Sequence, residues 1–161
     1  MNAIKKHANL LENIASERVT IELLKALSGN KPSTLGVLVE EGGLSSFGVS
    51  GKADWTILDR LPNISLLRLA ALAQICFADI HEVVQRLRLS NKQKTELFGY
   101  YEIFSLKEFT LPSIKPYAKK VEYHNLSAAV KAIGILKGFD TDELSEAAKK
   151  AYENNEPYAI E

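Results

Sequence analysis

The sequence is poor in the residue types that build covalent cross-links and soft metal sites. Its 161 residues include one cysteine, Cys76, and three histidines. A single thiol excludes an intrachain disulfide and a multi-thiolate metal site. The histidines His7, His81 and His124 lie far apart in the sequence, and none has a second histidine three or four residues away. We therefore expect no metal site in this chain.

Long apolar runs and phosphate-binding glycine patterns are also missing. Arg68 and Asp79 interrupt the best apolar candidate, so no stretch reaches the roughly 18 uncharged apolar residues that a membrane helix needs. The first seven residues lack the apolar run of a signal peptide. Neither a Gly-x-Gly-x-x-Gly nor a Walker pattern occurs. These absences predict a soluble cytoplasmic protein without a nucleotide-binding loop.

What the sequence does contain is a strong helical pattern around residue 70. Leu66, Leu69, Leu72 and the pair Ile75/Cys76 recur at steps of three and four residues, the spacing that lines one broad face of a buried α-helix. Two helix-start patterns follow this stretch closely, in which a cap side chain accepts a backbone N–H and the residue three positions later reaches back. They are Asp79-x-x-Glu82 and Ser90-x-x-Gln93.

The rest of the chain shows the same helical periodicity, separated by turn residues. We expect an all-α protein, an irregular array of about nine short helices, because no alternating segment is long enough for a strand. The first helices cover residues 1–42, a glycine- and serine-rich loop covers 43–59, and the main helical region covers 60–161. Ser105-x-x-Glu108 predicts a short helix that Pro112 would end. A further helix is predicted from Ser113 to Glu122.

Two charged features have a structural and a functional interpretation. Asp140-Thr141-Asp142 is an Asp-x-Asp pattern that carboxylate oxygens could use for a divalent ion. Its place before a helical segment favours capping of backbone N–H groups instead. Arg68 is the one charge in an apolar helix, and we expect it to pair with an acidic neighbour or to extend its charged end to the surface.

Charge is distributed unevenly along a chain whose formal net charge is zero. Basic residues dominate from residue 86 to 120 and acidic residues dominate after 140. Four tyrosines lie within or beside the basic stretch: Tyr100, Tyr101, Tyr117 and Tyr123. Lysine and arginine displace the counterions of a nucleic-acid backbone, so this stretch could grip RNA by its A-form shape without reading bases. The alternative is an ordinary solvated helix face.

Three short stretches resemble one known family. The run Leu-Arg-Leu-Ala-Ala-Leu at Leu67–Leu72, followed by Arg86–Lys92, resembles the body region of bacterial tRNA nucleotidyltransferases, the CCA-adding enzymes, and their poly(A) polymerase relatives. Upstream, Ile14–Val19 is similar to the family's Ile-Ser-x-Glu-Arg-Ile pattern, with Ala15 in place of the serine. The resemblance implies a helical body and tail that support RNA.

The same resemblance implies that nucleotide transfer belongs to another segment. Family members carry a catalytic head with an Asp-x-Asp metal pair before the body, and this sequence shows neither the head nor the nucleotide-reading neck helix. Magnesium and CTP or ATP are therefore implied only for a complete family enzyme. Ala73-Gln74 stands where the wider superfamily has a metal-binding His-Asp pair. We expect a fragment with no catalytic residues and no cofactor of its own.

Two hypotheses follow. In the first, the chain is a non-catalytic, tRNA- or RNA-supporting part of a CCA-adding or poly(A)-adding enzyme. In the second, it is a free-standing helical protein-interaction module without a role in RNA binding. The candidate phosphate contacts under the first hypothesis are six basic side chains: Arg86, Arg88, Lys92, Lys94, Lys119 and Lys120.

Overall fold

Helices make up most of the chain that the structure describes. The computed structural model describes residues 16–122 and 125–159, with side chains described as far as residue 151. Within these residues, nine α-helices, named α1 to α9, cover 16–27, Leu35–Glu40, Ile57–Arg60, Ser65–Ile75, Ile80–Arg86, Asn91–Phe104, Leu111–Ile114, Leu126–Lys137 and Asp142–Ala159. Short 3-10 helices lie at Pro32–Thr34, Ser45–Phe47 and Lys115–Tyr117. These residues contain no strand, which confirms the all-α prediction. A helix predicted before residue 15 lies outside them.

Helix α4 forms the centre of the fold. Its residues 66–73 are all buried, and it packs along α6. The predicted face of Leu66, Leu69 and Leu72 is therefore confirmed, and alanines at 70, 71 and 73 fill the remaining sides. Small alanine side chains let neighbouring backbones approach closely, so this helix can be covered on all sides.

The two helix-start patterns after α4 behave differently. Ser90 and Gln93 form the complete reciprocal capping box predicted for α6. Asp79 caps α5 by accepting a 2.9 Å hydrogen bond from the backbone N–H of His81. Glu82, which the pattern assigned to the return bond, instead forms a 3.5 Å ion pair with Arg86. The prediction of a cap at Asp79 is correct, and its reciprocal half is not observed.

The predicted start of α7 is wrong. Ser105 is the C-terminal cap of α6, and its hydroxyl donates a hydrogen bond to the carbonyl oxygen of Tyr101. Helix α7 begins after Thr110, which forms a capping box with Ser113. Pro112 lies in the first turn of this helix, where the missing N–H of proline is not needed, so it opens the helix rather than ending it.

The predicted helix from Ser113 to Glu122 is also interrupted. After Ile114 the chain continues as a 3-10 helix at Lys115–Tyr117 and then as turns. Pro116 explains the break, because a proline inside a helix removes a backbone hydrogen bond and its ring clashes with the preceding turn. The result is a compact, irregular segment rather than one continuous helix.

The stretch 43–59, predicted as a loop, is a connection packed against α2 and α5. Leu44 and Val49 are buried, and a 3-10 helix forms between them. The indole of Trp55 covers Gly36 of α2 so closely that a Cβ there would lie 2.1 Å from Trp55 Cγ. Its last residues already belong to α3.

The final two helices form a hairpin. Gly138 ends α8 with a φ of 79°, a left-handed conformation that glycine adopts without strain. The Asp140 carboxylate then accepts a 2.9 Å hydrogen bond from the backbone N–H of Asp142, where α9 begins. This contact supports the capping interpretation of Asp140-Thr141-Asp142. Helix α9 then continues to Ala159.

None of the helices in the described ranges has the length and apolar character to cross a lipid bilayer.

Candidate RNA-binding surface

Arg68 ties the N-terminal helix to the centre of the fold. It is only 4% exposed, although it carries a charge. Its guanidinium donates to the carbonyl oxygens of Leu27 at 2.7 Å, Gly29 at 2.9 Å and Leu61 at 2.9 Å. Asn63 Oδ1 accepts a fourth, longer bond at 3.3 Å. The expected surface position of Arg68 is therefore wrong, and in the described residues its acidic neighbour Asp59 acts on it through its charge rather than in a close ion pair.

The position of Arg68 has a physical reason: the carbonyl oxygens at the C-terminal end of a helix need hydrogen-bond donors. The last carbonyls of α1 have no partner inside the helix, and a guanidinium supplies several N–H groups in a fixed fork. Burial lowers the pKa of Arg68, and the charge of Asp59 opposes that shift. Arg68 is thus a structural capping residue for α1.

A second contact fixes the turn after α1. The Asp59 carboxylate accepts a 2.9 Å bond from the backbone N–H of Ser33 and a 2.7 Å bond from its hydroxyl. The Ser33 hydroxyl bond is the main cause that lowers the pKa of Asp59. Helix α3 therefore holds the chain between α1 and α2 in place.

A third contact places a basic residue beside α1. The buried hydroxyl of Thr20 donates to the carbonyl oxygen of Ser16 at 2.7 Å and accepts a 2.9 Å bond from the backbone N–H of Arg88. The side chain of Arg88 is exposed. Arg88 is therefore anchored through its backbone to α1, whose region also carries three exposed cations, Arg18, Lys25 and Lys31.

The other predicted contacts cluster around α6. A Cβ added at Gly99 would lie 2.9 Å from Lys120 Cβ and 2.8 Å from a methyl group of Val121. Because glycine permits this approach, the segment that carries Lys119 and Lys120 packs directly on α6, which carries Lys92 and Lys94. Four of the six predicted side chains therefore come from two packed segments.

Three of the six predicted cations pair with carboxylates. Arg86 lies 3.5 Å from Glu82, Lys92 lies 3.2 Å from Glu122, and Lys120 lies 3.3 Å from Glu102. In the ranges that the structure describes, Lys94 and the exposed Lys119 form no ion pair. The surface is a mixture of paired and unpaired charges rather than an uninterrupted basic patch.

The tyrosines that accompany the basic stretch have different positions. Tyr100 is fully buried, and this burial, with a further contribution from the charge of Glu96, raises its pKa. Tyr101 and Tyr117 line a surface cleft, whereas Tyr123 lies outside the described residues. Only two of the four tyrosines are thus shown near the surface.

That cleft, which we name the aromatic cleft, has a volume of about 430 Å³. It lies between α5, α6 and the 3-10 helix at Lys115–Tyr117, and its side chains include His81, Phe98, Tyr101, Glu102 and Tyr117. Sequence analysis missed His81 and Phe98. The only signal for Phe98 was its position three residues before Tyr101, which places both rings on one face of α6.

A second cleft of about 440 Å³ separates α1 from α2. It is mainly apolar, with Arg18 and Glu22 at its edge and Leu35 and Leu38 among its lining residues. Sequence analysis did not identify it, because the pairing of two amphipathic helices gives no separate motif.

The described residues contain no group of three or more His, Cys, Asp and Glu side chains arranged to hold a metal ion. Within the same ranges, the Asp140 carboxylate makes a helix-capping contact with the backbone of Asp142.

Comparison with known proteins identifies a family match in the first part of the chain. Residues 1–46 match the family model described as the probable RNA and SrmB-binding site of polymerase A. No curated protein and no solved structure matches the chain. In the described part of the matched segment lie α1, the 3-10 helix Pro32–Thr34 and α2. The matched segment therefore includes the α1 carbonyls that Arg68 caps and the whole lining of the α1–α2 cleft.

Proposed function

We propose that this chain supports tRNA or a related RNA without transferring nucleotides itself. Its residues 1–46 match the probable RNA and SrmB-binding site of polymerase A, which confirms the family resemblance seen in the sequence. The match is the observation that carries the proposal. In the complete family enzyme, a separate catalytic head would use magnesium and CTP or ATP. The chain would then act in the cytoplasm as the helical body beneath that head.

The charges around α1 support this proposal. Arg18, Lys25 and Lys31 are exposed in the matched segment, and Thr20 of the same segment accepts a hydrogen bond from the backbone of Arg88. Exposed cations that are fixed by a folded helix can displace counterions from an RNA backbone. The proposed contact surface therefore extends from the matched segment to the predicted basic stretch.

The lysines around α6 extend the surface further. Lys94 and Lys119 need not give up an ion pair to contact phosphate, whereas Lys92 and Lys120 would exchange a carboxylate for a phosphate. Exposed ion pairs of this kind contribute little to stability, so the exchange costs little. We propose Lys94 and Lys119 as the stronger phosphate contacts of the group.

A titration of the whole chain with tRNA at two salt concentrations tests the proposal. Binding should weaken as salt rises, because phosphate contacts release counterions. The double variant Lys94→Gln and Lys119→Gln should flatten the salt dependence, and Lys149→Gln, which removes a charge from α9, should leave it unchanged. Failure of the unmodified chain to bind tRNA at low salt would contradict the proposal.

The absence of transfer activity is a separate part of the proposal. Incubation of the chain with tRNA, CTP, ATP and magnesium should leave the RNA length unchanged on a sequencing gel. A complete CCA-adding enzyme in a parallel reaction controls for the quality of the RNA. Extension of the tRNA by this chain would contradict the non-catalytic assignment while leaving RNA binding intact.

The α1–α2 cleft favours protein binding as a second candidate function. It is apolar, and Ile21, Val37 and Leu38 remain exposed on the two helices. The description of the matched family also names SrmB binding beside RNA binding. A protein-interaction module would bind such a partner and would show no affinity for tRNA at low salt.

A further inference from the structure

We propose that the aromatic cleft holds an unpaired base of the RNA strand. This inference rests on the proposed RNA-binding function and adds a second mode of contact to it. The basic surface would contact phosphates, whereas the aromatic cleft would contact the flat face of one base. Its ligand is therefore single-stranded RNA or an unpaired end, not the paired part of a duplex.

The rings of the cleft come from three segments that the fold brings together. The His81 and Phe98 rings lie 5.2 Å apart between centroids, with an angle of 38° between their planes. The Tyr101 hydroxyl donates a 3.2 Å hydrogen bond to the carbonyl oxygen of Ala78, which fixes that ring beside the start of α5. Tyr117 lines the cleft from the 3-10 helix. Four aromatic side chains thus border one opening.

The dimensions and exposure of the cleft suit a small flat ligand. Its volume of about 430 Å³ falls in the range of roughly 300–1,000 Å³ that is typical of small-molecule sites. His81 is exposed, and Phe98, Tyr101 and Tyr117 are half-buried, so all four rings keep some surface open to a ligand. Proteins that bind single strands use such rings to stack bases, with little dependence on sequence.

The charges around the cleft favour a base over a phosphate inside it. Asp79 and Glu102 line the cleft, and their carboxylates would repel a phosphate group. The Lys120 ammonium lies 5.7 Å from the centroid of the Tyr117 ring and 3.3 Å from Glu102. Lys115 and Lys119 are exposed on the same segment. A base in the cleft would therefore place its phosphate near these lysines.

This arrangement explains why the basic stretch and the tyrosines occur together in the sequence. The same short segment supplies Tyr117 for stacking and Lys119 and Lys120 for the backbone. Gly99 keeps the segment against α6, which supplies Phe98 and Tyr101. Base stacking and phosphate contact would thus depend on one packing contact.

The inference is tested by binding of three short RNAs to the whole chain. They are an oligo(A) strand, an oligo(U) strand of equal length and a blunt duplex. Oligo(A) should bind more tightly than oligo(U), because adenine stacks more strongly. The variants Tyr117→Leu and His81→Leu should each weaken oligo(A) binding about tenfold and leave duplex binding unchanged. Phe139→Leu, which alters a half-exposed ring outside the cleft, is the matched control.

A second measurement covers the case in which a variant fails to fold. An RNA strand with one 2-aminopurine should lose fluorescence on binding to the unmodified chain, because stacking quenches this base. Unchanged fluorescence on binding, or equal oligo(A) affinity of folded variants, would overturn the base-stacking inference and leave the proposed function standing. Absence of binding to all three RNAs and to tRNA would overturn both.

Discussion

The Arg68 guanidinium in α4 donates a 2.7 Å hydrogen bond to the carbonyl oxygen of Leu27, 41 positions earlier in the chain. The same nitrogen donates to Gly29, so one buried side chain satisfies two carbonyls at the end of α1. Removing a buried donor leaves its acceptors without a partner, which costs more than the bond itself contributes. Arg68 therefore contributes to the attachment of α1 beside the Thr20 contact and the buried Leu23 and Leu27.

Replacement of Arg68 by alanine should lower the free energy of unfolding by about 3 kcal/mol or more, because it leaves buried carbonyls unpaired and opens a cavity. Arg68→Lys should lower the free energy of unfolding by a smaller amount, since lysine keeps the charge although it lacks the planar fork. Urea unfolding of both variants measures the effect.

Arg60→Ala serves as the control for this series, because Arg60 is exposed on α3. It should change the free energy of unfolding by no more than about 0.5 kcal/mol. Equal effects at the two positions would refute the assigned capping role of Arg68.

Gly99→Ala should destabilise the protein even though alanine is the better helix former. The new Cβ would lie 2.8 Å from a Val121 methyl and 2.9 Å from Lys120 Cβ, so the 118–122 segment would have to move. Overpacking costs about 1–3 kcal/mol, against a helix-propensity gain of about 1 kcal/mol. Thermal unfolding beside Thr95→Ala, an exposed position of the same helix, measures the difference. A higher melting temperature for Gly99→Ala would contradict the close packing.

Glu102→Gln should strengthen RNA binding by about two- to fivefold at low salt, because the change releases Lys120 from its ion pair and removes a negative charge near the phosphates. Its stability should change little, since the pair is half-exposed. Filter binding of tRNA at low salt measures the affinity, with Glu146→Gln on α9 as the charge-matched control. Equal affinities for the two variants would argue that Lys120 does not contact RNA.

Cys76 should react slowly with iodoacetamide while the protein is folded. Burial raises the pKa of this thiol from 9.0 to about 11, so at pH 8 the reactive thiolate is about a hundredfold scarcer than in the unfolded chain. Because Cys76 is the only cysteine, mass spectrometry of the intact chain follows one site. Similar rates with and without urea would contradict this burial.

The same pKa shift predicts a pH dependence of stability. Because folding favours the neutral thiol, the contribution of Cys76 to stability is complete below pH 9 and is lost as the pH rises toward 11. Cys76→Ala should therefore reduce the loss of stability between pH 9 and 11. An unchanged pH profile of the variant would contradict the assignment.

The sequence predicted what depends on neighbouring residues. The apolar spacing of α4 and the capping box of Ser90 and Gln93 are confirmed, because each follows from contacts within a few positions. The Ser105 pattern failed for the same reason. Ser105 instead caps the C-terminal end of α6, and a local motif does not show which helix a serine caps.

Contacts between residues that are distant in the sequence could not be predicted from it. The role of Arg68 depends on carbonyls at Leu27 and Leu61 that only the fold brings together. The aromatic cleft likewise combines His81, Phe98 and Tyr117 from separate segments. The basic candidates were found by counting charges, but counting did not show which lysines face carboxylates. The pairing of Lys92 with Glu122 is one example.

The contact between Trp55 and Gly36 has a consequence for any attempt to shorten the protein. The family match ends at residue 46, whereas the indole that covers α2 comes from residue 55 and the guanidinium that caps α1 comes from residue 68. A peptide cut at the edge of the match would lack both and would be left with bare helix ends and an uncovered apolar surface. The smallest autonomous folding unit must therefore extend well past the stretch by which the family is recognised.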